Sequence, residues 1–403
     1  MAPLSILVVG ASIAGPAFAS FLLLSDLGAR ITLLERAPGV RPEGQNIDLR
    51  GQGLHCAWRL GLEKTIRANL TGEKGVVWVN EQNQAIASIP ASKPGEAQGP
   101  TADVEMLRGT LAKLVVERCE KLSEQSKSMG GGEVEFIYGD YVAELEQDGD
   151  SVRVRFANSK RQRKFDLVAG ADGLQSRTRR QAFGTEGEAE RLQKLGIYGG
   201  FFSTQRGVML RPSDRPGKTT VFMHVKTDDK RLTDVTVGSK GVAAQQALLR
   251  ETFSDAGWHM DRLLKEMDLT DDFYYDMIAQ VKMDRWSKGR VVLIGDAAGT
   301  SLALTGAYNL AGALAQYPHD LQAAFDQYEE TQRPPLGKAQ SLSPLVKLIF
   351  SLDTAWQVWL ANCLVAFLSH IMSMFKLIFH FAGPSGVEAD MREYAFRMPP
   401  EDL

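Results

Sequence analysis

Cysteine is scarce in this 403-residue chain: Cys56, Cys119 and Cys363 are odd in number and lie far apart. That excludes a disulfide framework and a cysteine-based metal knot, and it points to reduced core thiols. The six histidines show no ligand spacing, so no metal is expected. Basic charge is not in excess. The 46 Lys and Arg stand against 49 Asp and Glu, a net charge of -3, which gives no electrostatic reason to expect nucleic acid as a partner. The apolar N-terminus lacks a basic segment and is interrupted by a glycine turn, so it does not read as a signal peptide, and a cytoplasmic location is expected. No internal repeat is present. The composition is that of an ordinary globular protein, 44% hydrophobic and 24% charged, long enough for one large or two medium domains.

Against this plain background stand three segments, each a short apolar strand running into a tight glycine turn. The first is Leu4 to Gly15, with Gly10, Ser12 and Gly15 at the positions of a G-x-G-x-x-G turn. Gly10 makes the turn, Gly15 lets the next helix pack close to the strand, and N–H groups at the helix start face a pyrophosphate. Ser12 replaces the middle glycine, which crowds the phosphate approach slightly. A second strand, Ile31 to Leu34, ends in Glu35 and Arg36; Glu35, 20 residues after Gly15, stands where a carboxylate accepts ribose hydroxyls. The other two segments are Asp166 to Ser176, with Asp172-Gly173 in its turn, and Gly289 to Ala298, with Gly295-Asp296 in its turn. Three such turns in this order predict one extended dinucleotide, FAD, wrapped by the chain.

The remaining pattern suggests an α/β fold: a Rossmann-like FAD-binding domain, an inserted β-sheet substrate domain and a C-terminal helical tail. The expected FAD-binding domain is discontinuous, taking 1–85, 103–190 and 281–340; the substrate domain takes 86–102 and 191–280; the tail takes 341–403. A helix is expected from Asp103 as its cap, followed by a polar connector over Ser123 to Gly132. A β-meander is expected at Val142–Leu145 and Val152–Phe156, turning at Asp148-Gly149. In the tail, Asn362, Ser369, Ser373, Lys376 and His380 place a narrow polar stripe along an apolar helix over 355–382. Two readings stand for it: a helix packed on the body of the protein, or one that makes peripheral contact with a membrane surface or a partner.

Taken together, the Gly10–Gly15 turn, Glu35-Arg36, Asn46-Ile-Asp48-Leu-Arg50, Leu107-Arg108, Gly170-Ala-Asp172-Gly173-x-x-Ser176, Asp271 to Asp276 and Gly289 to Ala298 resemble the FAD-dependent aromatic hydroxylases. These are single-component flavoprotein monooxygenases of the p-hydroxybenzoate hydroxylase type, and within them the chain resembles the tetracycline-hydroxylase-like branch that includes fungal natural-product enzymes. The resemblance covers most of residues 4–340. It implies that NADPH reduces the flavin, that O2 supplies the oxygen, and that an aromatic or polycyclic small molecule is hydroxylated or epoxidised. It implies that Glu35 holds the adenosine ribose, Arg108 contacts the pyrophosphate region, Asp296 binds the ribityl chain, and Asp172-Gly173 serves both FAD and the transient approach of NADPH. The bland alternatives are a solvated helix arginine for Arg108 and a simple turn former for Asp172. Arg50 reads equally as a residue near the flavin ring or as a surface arginine. No catalytic acid or base is assigned, because the cofactor carries the chemistry. A flavin halogenase is disfavoured, since Trp356 and Trp359 sit in the tail and no lysine and tryptophan constellation lies near the turns.

The chain departs from that family at two places. Members carry a proline-containing loop after Gly-Asp-Ala-Ala, whereas here Asp296 runs to Gly306 without a proline. The segment from Gly200 to Arg211 also reads as shortened. Both losses fall where flavin ring and substrate are expected, which leaves a flavin-binding relic with poor oxygenation as the alternative function.

Overall fold

The computed structural model describes residues 3–42, 44–80, 82–90, 103–198, 206–213, 217–237, 241–299, 302–340, 354, 356–364, 366–367 and 391–399. The chain starts with strand β1 (Ser5–Val9), helix α1 (Ala14–Leu24) and strand β2 (Arg30–Glu35). Around β1 forms a six-stranded sheet in the order Ser287–Lys288, Val291–Leu293, Leu167–Gly170, β1, β2, Glu133–Tyr138. All neighbours are parallel except the short edge strand Ser287–Lys288.

Ile6, Leu7 and Val8 are completely buried, as a strand covered on both faces requires. Ile6 and Val8 join a core built with α1 and the helix Ala303–Gln316, while Leu7 and Val9 face Val142, Val152, Val154 and Phe156. The second face is therefore covered by the expected meander: Val142–Gln147, Val152–Phe156 and Gln162–Phe165, antiparallel throughout. Each fully buried aliphatic side chain contributes about 1.5–3 kcal/mol. Helix α1 is apolar all round and buried along its whole length, which such a sequence needs.

A separate four-stranded antiparallel sheet, in the order Arg206–Pro212, Thr219–Lys226, Leu192–Tyr198, Ile278–Val281, packs its own core against helices Gly241–Phe253 and Met260–Leu269. The hairpin Gly75–Val79/Ala85–Pro90 runs across the boundary expected at residue 85.

Two expectations need correction. Asp103 caps no helix: Glu105–Leu107 is a buried strand antiparallel to Asn46–Asp48, and the helix starts at Arg108 with Leu107 as its N-cap. That helix runs to Ser128, so the expected connector is largely helical; its apolar face is buried through Leu122. The tail is helical over 356–364, where Asn362 accepts a hydrogen bond from Trp78 Nε1 at 3.0 Å. Residues 391–399 are non-helical. There Tyr394 and Phe396 pack on Tyr308 and Phe21, and Arg397 N–H bonds Leu24 O at 2.9 Å. Most of the striped segment 355–382 lies outside the described residues. No described helix is long and apolar enough to cross a membrane.

Candidate cofactor site

The three glycine turns meet at one end of the parallel sheet, beyond the carboxyl ends of their strands, which is where open α/β sheets bind ligands. Gly10 has φ +112° and no room for a side chain: a Cβ there would lie 2.4 Å from Ala171 O, in the second turn. Ala171 N–H in turn bonds Val9 O at 2.8 Å. A Cβ on Gly15 would lie 2.0 Å from Gly10 O, so the helix start can approach the strand this closely only without one. The third turn joins through Ile294 N–H, which bonds Gly170 O at 2.9 Å, and through Gly295, which backs onto Ala14. Ser12 is half-buried within the first turn, and α1 starts with no side-chain cap. The helix Ala303–Gln316 likewise starts without one. Uncapped N–H groups at these two starts are what a pyrophosphate needs.

Glu35 is buried at the end of β2. Its Oε2 accepts Ala11 N–H and its Oε1 accepts Ala37 N–H, both at 2.9 Å. The carboxylate thus braces the first turn, and each oxygen keeps a lone pair for a further donor. Arg36 beside it is exposed. Replacing Glu35 with alanine removes charge-assisted hydrogen bonds worth on the order of 1.5–3 kcal/mol. The expected result is FAD bound roughly 10–100-fold more weakly by flavin-fluorescence titration, with FMN, which lacks the adenosine, unaffected. Unchanged FAD affinity in that variant rejects the ribose role.

Asp172 organises its own turn. Its Oδ2 accepts the N–H groups of Arg177 (2.8 Å) and Thr178 (3.0 Å) and the Thr178 hydroxyl (3.1 Å), and its Oδ1 accepts the Ser176 hydroxyl. These bonds organise the start of helix Arg177–Phe183, so any service to a cofactor runs through the turn that Asp172 shapes, with Gly173 at φ +78° on its open side. Arg179, which sequence reasoning passed over, is fully buried. Its guanidinium donates to Leu174 O (2.8 Å) in the second turn, to Ala297 O (3.1 Å) in the third, and to Glu188 Oε1 (2.6 Å). It ties two walls of the site together.

Asp276 lies within electrostatic reach of Arg108, first residue of its helix, and of half-buried Asp296. Burial raises the Asp276 carboxyl above the usual range and the Asp296 charge adds to this, opposed by Met277 N–H, Tyr274 and Arg108. Tyr274 O–H donates to Asp276 Oδ2 at 3.0 Å. Its phenol is raised too, by desolvation first and the Asp276 charge second, although the residue is 44% exposed. Arg108 has no ion-pair partner among the described residues. The Asp271–Asp276 motif carries no assigned role in the sequence; in the fold its last residue lies within electrostatic reach of Arg108 and Asp296. Arg50 pairs with Asp48 at 2.7 Å. A groove of about 560 Å³ lined by Ser5, Asp148, Lys164 and Asp166 lies at the other end of β1 and takes no part. No cluster of metal ligands occurs among the described residues.

These residues fit FAD on the structure's own terms: a cradle that a Cβ would fill, uncapped helix starts, a braced carboxylate with spare lone pairs, and a cation, Arg108, within electrostatic reach of Asp276. Comparison with known proteins agrees. A family model for the FAD binding domain matches residues 4–335. The FAD-dependent monooxygenase asL6 of Sarocladium schorii is 32% identical over 368 residues, covering 84% of this chain and 86% of its own. Monooxygenase CTB7 of Cercospora beticola is 30% identical over 431 residues, covering 97% of each chain. That alignment is longer than this 403-residue chain, so it contains positions at which this chain has no residue. Among solved structures, the tetracycline destructase Tet(51) superposes with a TM-score of 0.72 at 26% identity, covering 92% of this chain and 97% of that one.

Proposed function

The chain belongs to the FAD-binding-domain family of FAD-dependent monooxygenases, and from that premise we propose that it uses NADPH and O2 to hydroxylate or epoxidise an aromatic or polycyclic small molecule in secondary metabolism. The observation that carries this reading is the meeting of three glycine turns at the carboxyl end of the parallel sheet, with Asp276 within electrostatic reach of Arg108 and Asp296. Similarity to a protein named for destroying tetracycline, a four-ring phenolic, supports the substrate class, and similarity to fungal monooxygenases supports the metabolic setting.

FAD, when bound, supplies hydride acceptance and oxygen activation. The protein's part is binding, orientation and exclusion of water. The helix starts at Ala14 and Ala303 present N–H groups to the pyrophosphate, and Arg108 offsets its charge. Glu35 accepts from the adenosine ribose, and Asp296 from the ribityl chain. Asp276 keeps the Tyr274 proton turned inward. The Asp172-Gly173 turn offers NADPH its approach. The test is NADPH oxidation measured together with product and peroxide across a panel of polyketide phenols. Consumption of NADPH that no phenol accelerates, with no oxygenated product, rejects the assignment.

Two readings of the tail helix remain: packing on the body, which the Trp78–Asn362 hydrogen bond supports, and peripheral contact with a membrane surface, for which Trp356, Trp359 and Phe367, each more than 60% exposed, are suited. On the second, the full-length protein should float with liposomes, and a protein truncated before residue 355 should not. Absence of flotation of the full chain rejects this contact.

A further inference from the structure

A charge cluster apart from the three turns lies where the four-stranded sheet meets the ribbon Asn46–Asp48/Glu105–Leu107. Arg211, near the end of strand Arg206–Pro212, reaches into the ribbon. Its Nη2 donates to Glu73 Oε2 at 2.7 Å and Glu105 Oε2 at 2.5 Å, and lies 3.6 Å from Asp48 Oδ1. Asn46 Nδ2 joins the same two elements, donating to Glu105 Oε1 and to Pro212 O. Thr71 Oγ1 also donates to Glu105, and Arg50 pairs with Asp48. Little water enters: the Glu73 and Glu105 side chains are 7% and 2% exposed.

Three carboxylates, Asp48, Glu73 and Glu105, thus face two guanidinium groups, Arg50 and Arg211. Among the described residues that leaves one negative charge, and between the nearly dry Glu73 and Glu105 a bound proton is the cheapest way to remove it. Burial, then the hydrogen bond with Glu105, pushes Glu73 up to about 7 against the pull of Arg211. Glu105 moves the other way. Burial works to raise it, but hydrogen bonds with Glu73 and Asn46, the Arg211 charge and Thr71 outweigh that and leave it below the usual range. Lys74, next in the chain, is exposed.

We propose that Arg211 is a positioning residue for the cofactor site, holding the ribbon whose two strands lead into Arg50 and Arg108, and that it does so fully only while Glu73 carries a proton. With Glu73 ionised, two carboxylates compete for one guanidinium nitrogen while Asp48 stands close by, and like charges press the strand Arg206–Pro212 away from the ribbon. The sign follows from linkage. Glu73 is raised in the folded state, so its contribution is present at low pH and lost as pH rises through about 7. Glu105 is lowered, so its contribution is lost only at acid pH. Between about pH 6 and 9 Glu73 titrates and Glu105 does not, and the Glu73→Gln variant separates Glu73 from Asp276, whose carboxyl is also raised.

The test measures FAD affinity and melting temperature of the full chain across that range for wild type, Glu73→Gln and Arg211→Met. Wild-type affinity should weaken by about tenfold from the low end to the high end, the equivalent of one pKa unit. Glu73→Gln, which mimics the protonated carboxyl, should keep the low-pH affinity throughout. Arg211→Met should bind weakly at every pH. A Glu73→Gln profile that follows wild type overturns the proposal, whether or not Arg211→Met folds. The proposal uses the FAD reading, but the melting curves separate the two. If wild type binds no FAD at any pH, a wild-type melting temperature that falls through neutrality while that of Glu73→Gln stays level still supports the latch, and parallel profiles overturn it.

Discussion

Arg179→Met is expected to bind FAD about 10–100-fold more weakly than wild type and to melt several degrees lower, because removing one partner of a buried pair costs about 3–5 kcal/mol. The methionine fills much of the volume but leaves Glu188 with only its longer contacts to Arg191 (3.8 Å) and Arg180 (4.0 Å), and it strips hydrogen bonds from Leu174 O and Ala297 O. Those two carbonyls belong to different walls of the cofactor site, so part of the loss must appear in binding. The control lies next door. Arg180, whose side chain is 33% exposed and no nearer than 4.0 Å to Glu188, should change stability by no more than about 0.5 kcal/mol when replaced by methionine. If the two variants bind FAD alike, Arg179 does not tie the walls.

The second large effect concerns coupling. The unmodified chain is expected to divert most of the NADPH it oxidises into hydrogen peroxide. Oxygen activated at a flavin reaches a substrate only where water is kept out. The proline-containing loop that the resemblance implies after the Gly-Asp-Ala-Ala turn has no counterpart here: no proline stands between Asp296 and Gly306. Thr300 and Ser301, and residues 199–205 of the second shortened segment, lie outside the described residues. Inserting a family-type loop between Ala298 and Gly299 should raise product formed per NADPH several-fold while leaving FAD affinity unchanged. Nearly one product per NADPH in the unmodified chain would show the short segment to be a tolerated variation and would remove the relic reading.

What could be read from sequence was the chemistry that local geometry dictates. Gly10 and Gly15 announce themselves because a tight turn and a close helix admit no other residue, and Glu35 because its spacing follows from strand and helix lengths. The β-meander showed in alternation. Partnership was hidden. In the run Arg177-Thr-Arg179-Arg180, one arginine lies over the Tyr141 ring, one is fully buried and one is partly exposed, and composition cannot rank them. Asp103 looked like a helix cap because nothing local reveals that Glu105–Leu107 pairs with Asn46–Asp48. Asp172 was assigned toward the cofactor, yet its oxygens serve the following helix, a commitment set by backbone direction after the turn. Arg211 meets Glu73 and Glu105 across more than a hundred residues, which no spacing rule reaches.

The claim that three distant turns form one FAD site is tested most directly by the flavin itself. Purified protein, or apoprotein titrated with cofactor, should show a flavin absorption spectrum at one flavin per chain, release FAD intact on acid denaturation, and prefer FAD over FMN by a margin that Glu35→Ala erases. A colourless protein whose melting temperature does not move with added FAD, or one that takes FMN equally well, would contradict it.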